Sequence, residues 1–295
     1  MDKATAAAAC IALTVAYVGV LYLHPTARRS SRDDPVVIRA RVSVILLCTV
    51  VSCAGTGLQL SQDDHENNNN NNSSSSNNSS GWVSTASWLK TLRIIPVPGV
   101  LEILRTTVLP TLIFFAGPLV DKVWLSQGYK WIWHDVAVAG TSWIGWRNYI
   151  VGPVTEELVF RACVVSVELH AGVSMGTLVF LTPLYFGVAH LHHAFEAYVK
   201  DPEQWKLALA MSTLQLCFTT VFGWYATFLY LRTGTIVSPI VAHALCNAIG
   251  LPRLRGTGGG QQWRTWVHRM ALIAGPIVFA TVVFPLTASS RSILQ

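Results

Sequence analysis

The string Val154-Thr155-Glu156-Glu157-Leu158-Val159-Phe160-Arg161 places two adjacent carboxylates and an arginine inside an otherwise apolar stretch. An ionisable side chain at bilayer depth costs at least ~2.5 kcal/mol, so three within six residues must either pair or do chemistry. Read as helix, Glu157 and Arg161 are four residues apart with the acid N-terminal, the favoured orientation for a same-face ion pair. Glu156 is rotated about 100° from Glu157. The economical arrangement therefore has Arg161 compensating Glu157 while Glu156 faces a cavity, where a desolvated glutamate suits general-base work. The plain alternative, an ion pair beside a packing carboxylate, leaves Glu156 without an evident partner.

Two further polar groups lie downstream in apolar surroundings. Phe186-x-x-x-His190 falls near the end of a span, with His192 and His193 at its mouth, where they read as interfacial and structural. His243 and Asn247 are spaced four apart and share a helix face. Their N–H groups, aimed at one point, would make an oxyanion-stabilising pair. A glutamate base, a histidine and two further donors are the parts needed to activate water and stabilise a tetrahedral intermediate, which points to amide hydrolysis within the membrane. A competing reading takes Glu156, His190 and His243 as a two-histidine, one-carboxylate zinc set. The chain has no His-Glu-x-x-His pairing, and Asn247 beside His243 fits oxyanion binding better than ligation, so no cofactor is expected.

These residues need a membrane to hold them. Of the 295 residues, 52% are apolar and 12% charged, against roughly 25% charged in soluble domains. An all-α, polytopic membrane protein follows, with about eight transmembrane helices enclosing a polar catalytic cavity. The candidate spans lie near 5–23, 36–58, 99–119, 148–169, 173–191, 207–231, 235–251 and 270–288. In that scheme fourteen lysines and arginines fall in odd-numbered loops and five on the other side. That bias puts the odd loops in the cytosol and both termini outside it. The net charge of +6 is then topology, and nothing points to nucleic acid.

The chain divides into two N-terminal spans (1–60), an Asn/Ser-rich tract expected to be disordered (61–81), a catalytic membrane region (82–251), and a basic Gly-rich loop with the last span (252–295). The six cysteines read as small apolar packing residues. Trp131, Trp133, Trp143, Trp146, Trp263 and Trp266 read as interfacial anchors. A transporter or scaffold with a buried Glu/His/Arg relay is the rival class, disfavoured by the lack of an internal repeat and by the His–Asn pair.

Glu156-Glu157-x-x-x-Arg161, Phe186-x-x-x-His190 and His243-x-x-x-Asn247, in this order, resemble the CAAX prenyl protease 2 family (Rce1-type, type II CAAX endopeptidases). The strings around His190 and His243 look like its eukaryotic branch, and the motif-bearing part covers roughly residues 100–250. The resemblance implies a multi-pass enzyme of the endoplasmic reticulum membrane, with its site open to the cytosol. It would remove the C-terminal tripeptide from farnesylated or geranylgeranylated CAAX proteins such as small GTPases. Carried over, Glu156 and His190 would activate water, His243 and Asn247 would stabilise the oxyanion, and Glu157 and Arg161 would support them, without a metal.

Overall fold

The computed structural model describes residues 1–23, 33–71, 85–125, 137–251 and 262–294. It is 83% helical, and no strand occurs among the described residues. The helices are α1 (Lys3–Val20), α2 (Pro35–Asn71), α3 (Thr85–Thr91), α4 (Val100–Phe114), α5 (Ala116–Val123), α6 (143–170), α7 (Met175–Ala189), α8 (His192–Lys200), α9 (Trp205–Thr233), α10 (Val237–Ile249) and α11 (Gln262–Leu286). By length and composition α1, the Pro35–Asp63 part of α2, α9 with its short lead-in, and α11 can each cross a membrane. The α4–α5 pair, bent by 74°, makes a fifth if counted as one span. The chain is thus an all-α, multi-pass membrane protein. Helix occurs at all eight expected spans, but α6 carries the charged cluster, and α7 and α10 are short. The charged groups they carry survive at membrane depth because protein buries them: Glu157, Arg161 and His243 are all buried.

The loops sort into two groups. Asp33 meets Arg147 at 2.9 Å, Arg41 meets Glu196 at 3.1 Å, and Lys122 donates to the carbonyl of Ala248 at 3.1 Å. These contacts gather the ends flanking loops one, three, five and seven of the eight-span scheme. At the other end Arg291 pairs with Glu102, and Arg232 donates to the carbonyl of Leu294. The alternation expected from lysine and arginine placement is therefore a physical grouping. Which group faces the cytosol is a matter of charge bias, not of these contacts.

Helix α2 runs past the expected boundary at residue 60 to Asn71, into the polar tract. Extending an existing helix adds a hydrogen bond for each residue fixed, whereas nucleation is the unfavourable step. The rest of the tract, together with Trp131, Trp133 and most of the Gly-rich loop, lies outside the described residues.

Helix α6 occupies the centre. Ser142 caps it, its side chain accepting from the N–H of Gly145 at 3.0 Å. A Cβ on Gly145 would lie 2.2 Å from the carbonyl oxygen of Val138, so only glycine lets the incoming chain cross there. The helix widens to π geometry over Trp146–Val151 and again over Leu158–Val165. The first widening immediately precedes Pro153, whose ring cannot tolerate a regular carbonyl one turn back. Widening is the accommodation, and the same pairing recurs in α4, where Leu104–Val108 is π and Pro110 follows. No proline accompanies the second widening, and the local sequence does not explain it.

Long polar contacts lock α6 to its neighbours. The hydroxyl of Tyr17 on α1 lies 2.9 Å from that of Thr155, and Tyr230 on α9 lies 2.9 Å from Ser166. Helix α7 packs on α9 through Gly187, where an added Cβ would sit 2.6 Å from Thr220 Oγ1 and 2.9 Å from Leu216 Cδ1. We therefore expect Gly187→Val to separate α7 from α9 and destabilise the fold by about 1–3 kcal/mol, as overpacking does. A lowered thermal-unfolding midpoint in detergent is the check, and an unchanged midpoint would refute the close approach.

Candidate active site

The site is assembled from α6, α7 and α10, each contributing one part of the predicted set. Glu157 is fully buried and Arg161 is 1% exposed. They form the expected i, i+4 pair, with Arg161 Nη1 donating to Glu157 Oε1 at 3.0 Å. The guanidinium also lies over aromatic faces, its Cζ 4.5 Å from the Phe186 ring centroid and 5.7 Å from that of Phe222. A buried cation held by one carboxylate and two ring faces is compensated electrostatically on several sides.

Glu157 has a second partner that helix spacing alone did not reveal. His243 on α10 brings Nδ1 to 2.7 Å from the same Oε1. Its Nε2 lies 3.7 Å from Glu156 Oε2. The imidazole therefore bridges the two glutamates, whose roughly 100° rotation about α6 presents one carboxylate to each edge of the ring. The Phe222 ring packs tilted against the His243 ring, with centroids 4.7 Å apart. With Nδ1–H donating to Glu157, only Nε2 faces Glu156 and the space beyond.

His190 ends α7. Its Nδ1 is 2.8 Å from the carbonyl oxygen of Phe186, which makes Nδ1 the donor and Nε2 the ring's acceptor. The Phe186 ring lies edge-on, 4.6 Å from the imidazole centroid. Phe186 thus braces both His190 and Arg161. Asn247, one turn beyond His243, donates through Nδ2 to the carbonyl of Asn148 at 2.8 Å. Asn148, on the first π-widened segment, belongs to the site though no spacing rule marked it. His192 lies close by, its Nδ1 2.6 Å from the carbonyl of Ala189 and its ring edge-on to Tyr22.

Glu156, His190, His243 and Asn247 all line one cavity of about 770 Å³. Its remaining wall is largely aromatic, including Phe115, Phe222, Tyr225, Phe228, Phe279 and Phe284. A second cavity of about 210 Å³ meets the same centre from the other side, and Asn148, Glu156, His190 and Asn247 line both. The polar centre thus sits where an apolar chamber joins a smaller, more polar one. As to a metal, no group of three His, Cys, Asp or Glu side chains is placed to hold one among the described residues. His190 turns Nδ1 to a backbone carbonyl and His243 turns Nδ1 to Glu157, so any ligation would have to use the two Nε2 atoms.

Residues 138–249 match the family described as type II CAAX prenyl endopeptidase Rce1-like, an interval that contains Glu156, Glu157, Arg161, His190, His243 and Asn247. Among curated proteins, the probable CAAX prenyl protease 2 of Schizosaccharomyces pombe is 32% identical, over 90% of this chain and 88% of its own length. CAAX prenyl protease 2 of Arabidopsis thaliana is 32% identical over 97% and 91%, respectively. CAAX prenyl protease 2 of Homo sapiens is 30% identical over 94% and 80%. No solved structure gives a significant match.

The two glutamates should behave differently on removal. Glu157→Ala strands a buried guanidinium and one edge of His243, and should destabilise the fold by about 3–5 kcal/mol. The Glu156 side chain is 23% exposed and faces the cavity, so Glu156→Ala should change stability by no more than about 0.5 kcal/mol. Thermal unfolding of both variants in detergent distinguishes them, and equal losses would contradict the division of labour.

Proposed function

The chain belongs to the Rce1-like CAAX prenyl endopeptidase family and is a CAAX prenyl endopeptidase, and we propose that its chemistry is carried by Glu156, His190, His243 and Asn247. The observation that carries this reading is that these four side chains, from three helices, line one cavity. Substrates are prenylated CAAX proteins, and small GTPases are the class we propose. The aromatic chamber is the natural seat for a farnesyl or geranylgeranyl chain, since a hydrocarbon gains by leaving water for an apolar wall.

In this mechanism Glu156 takes a proton from water held between its carboxylate and His190 Nε2. The water oxygen bonds to the carbonyl carbon of the prenylated cysteine, and the carbonyl oxygen becomes an oxyanion. His243 Nε2–H and Asn247 Nδ2–H face that oxygen. Because His243 already donates Nδ1–H to Glu157, a proton on Nε2 makes the ring an imidazolium. Glu156, Glu157, Arg161 and His243 then sum to zero charge, a favourable state for a buried cluster. Collapse breaks the C–N bond, and the proton first taken by Glu156 passes to the departing amine. The products are a prenylcysteine carboxylate and a free tripeptide. Glu157 and Arg161 act through His243, as positioning residues.

The multi-pass architecture and the basic loops support placement in the endoplasmic reticulum membrane with the site reached from the cytosol. No metal is required by this scheme. We expect Glu156→Ala and His190→Ala each to lower tripeptide release from a farnesylated peptide by about 10²–10⁴-fold, the range of a lost acid–base group. His243→Ala and Asn247→Ala should lower kcat by about 10²–10³-fold with little change in KM. A fluorogenic prenylated peptide read with and without a strong chelator is the assay. Wild-type rates in Glu156→Ala would sink the base assignment, and loss of activity in chelator would sink the metal-free scheme.

A further inference from the structure

The smaller cavity has no role in the mechanism above, yet it adjoins the reacting centre through Asn148, Glu156, His190 and Asn247. Its character differs from that of the aromatic chamber. Arg41 on α2 and Arg147 on α6 both line this space of about 210 Å³. Gly152 lines it too, between Arg147 and Glu156, and a Cβ there would lie only 2.8 Å from the carbonyl oxygen of Arg147. Glycine keeps that stretch of wall free of side chain.

A prenylated CAAX terminus is bipartite about the scissile amide. Upstream, the cysteine bears a hydrocarbon. Downstream lie three residues ending in a free carboxylate. With the reacting carbonyl at Glu156 and His190, the hydrocarbon fits the aromatic chamber and the tripeptide is left to the arginine-lined one. The lengths agree. Three extended residues span about 10 Å. Arg147 precedes Glu156 by nine positions, about 13 Å along a helix axis, and the arginine side chain covers the difference.

We propose that this smaller cavity is the subsite for the aaX tripeptide, with Arg147 and Arg41 receiving its C-terminal carboxylate. The inference rests on the catalytic assignment of Glu156 and His190 made above. Arginine suits the task because its planar fork matches a carboxylate in two-point contact. Both guanidinium groups already engage carboxylates, Arg147 with Asp33 at 2.9 Å and Arg41 with Glu196 at 3.1 Å. Asp33 has a half-exposed side chain, and exchanging an exposed ion pair for another is nearly neutral. Arg147 is therefore the first contact of an arriving carboxylate, and Arg41, held by Glu196, which also accepts from the Tyr22 hydroxyl, is the second. This arrangement explains how an endopeptidase comes to cut at a fixed distance from a chain end: the end itself is gripped.

The test compares two farnesylated peptides of identical sequence, one with a free C-terminal carboxylate and one with a primary amide. Wild-type enzyme should prefer the acid by about 10–100-fold in kcat/KM, the range of a charged hydrogen bond lost, mainly through KM. Arg147→Gln and Arg41→Gln should slow cleavage of the acid and leave the amide within about twofold, erasing the preference. A merely structural role would slow both peptides alike, including any effect relayed through Asn148 to Asn247. Equal wild-type rates on acid and amide, or equal losses in the variants, would overturn the proposal, and the wild-type comparison needs no variant to fold. The catalytic reading fails on a separate result, full activity in Glu156→Ala, which leaves the acid–amide comparison untouched.

Discussion

A single carboxylate, Glu157, holds the centre of this molecule together. It is fully buried, and an isolated charge in that position would be intolerable. Its Oε1 accepts from Arg161 on its own helix and from His243 on α10, so a local ion pair doubles as a tie between two helices. Arg161 in turn is covered by Phe186 and Phe222, which brings α7 and α9 into the same cluster. Two helices thus meet at one oxygen atom, and two more close over the arginine beside it. Breaking such a network exposes unpaired charge to low dielectric, which is why it holds geometry as well as energy.

That convergence determines what the neighbouring groups can do. Once Nδ1 of His243 is committed to Glu157, its Nε2 has a defined direction, towards Glu156 and the cavity. The backbone carbonyl of Phe186 does the same for His190, setting which nitrogen donates and which accepts. Supporting partners that fix tautomer and ring orientation are as much part of a hydrolytic site as the groups that touch the water. The irregular helix α6 contributes too. Its first π-widened turn carries Asn148, the acceptor for Asn247, and lies where Pro153 removes a regular helical hydrogen bond. Both π-widened segments of α6 flank the two glutamates, and such bulges are frequent at functional sites.

The two cavities give the enzyme its polarity. An aromatic chamber on one side and an arginine-lined one on the other meet at Glu156 and His190. The proposed assignment of one substrate end to each cavity rests on this asymmetry. The contacts that gather loops one, three, five and seven at one end place Arg41, Arg147 and Glu196 there as well. Arg41 and Arg147, two of the basic residues counted in the charge bias, thereby furnish part of the wall of the smaller cavity.

Much of this was legible in the amino-acid string, because the signals are local. Apolar runs of spanning length determine a polytopic helical protein whatever the tertiary detail, and the i, i+4 spacing of Glu157 with Arg161 and of His243 with Asn247 follows from helix geometry alone. The adjacency of Glu156 and Glu157 already dictated that they point apart. What spacing could not carry was any contact between helices. That His243 lies between the two glutamates, that Asn148 receives Asn247, and that Arg41 and Arg147 share a cavity with Glu156 and His190 all depend on residues 86 to 106 positions apart, or on separate helices, being packed together. The polar tract after residue 60 shows the converse, since α2 extends into it as helix because its apolar part had already nucleated one. Local chemistry and periodicity are written in the chain, but the tautomers, the shared cavity walls and the second role of Glu157 exist only once distant segments are brought within hydrogen-bonding distance.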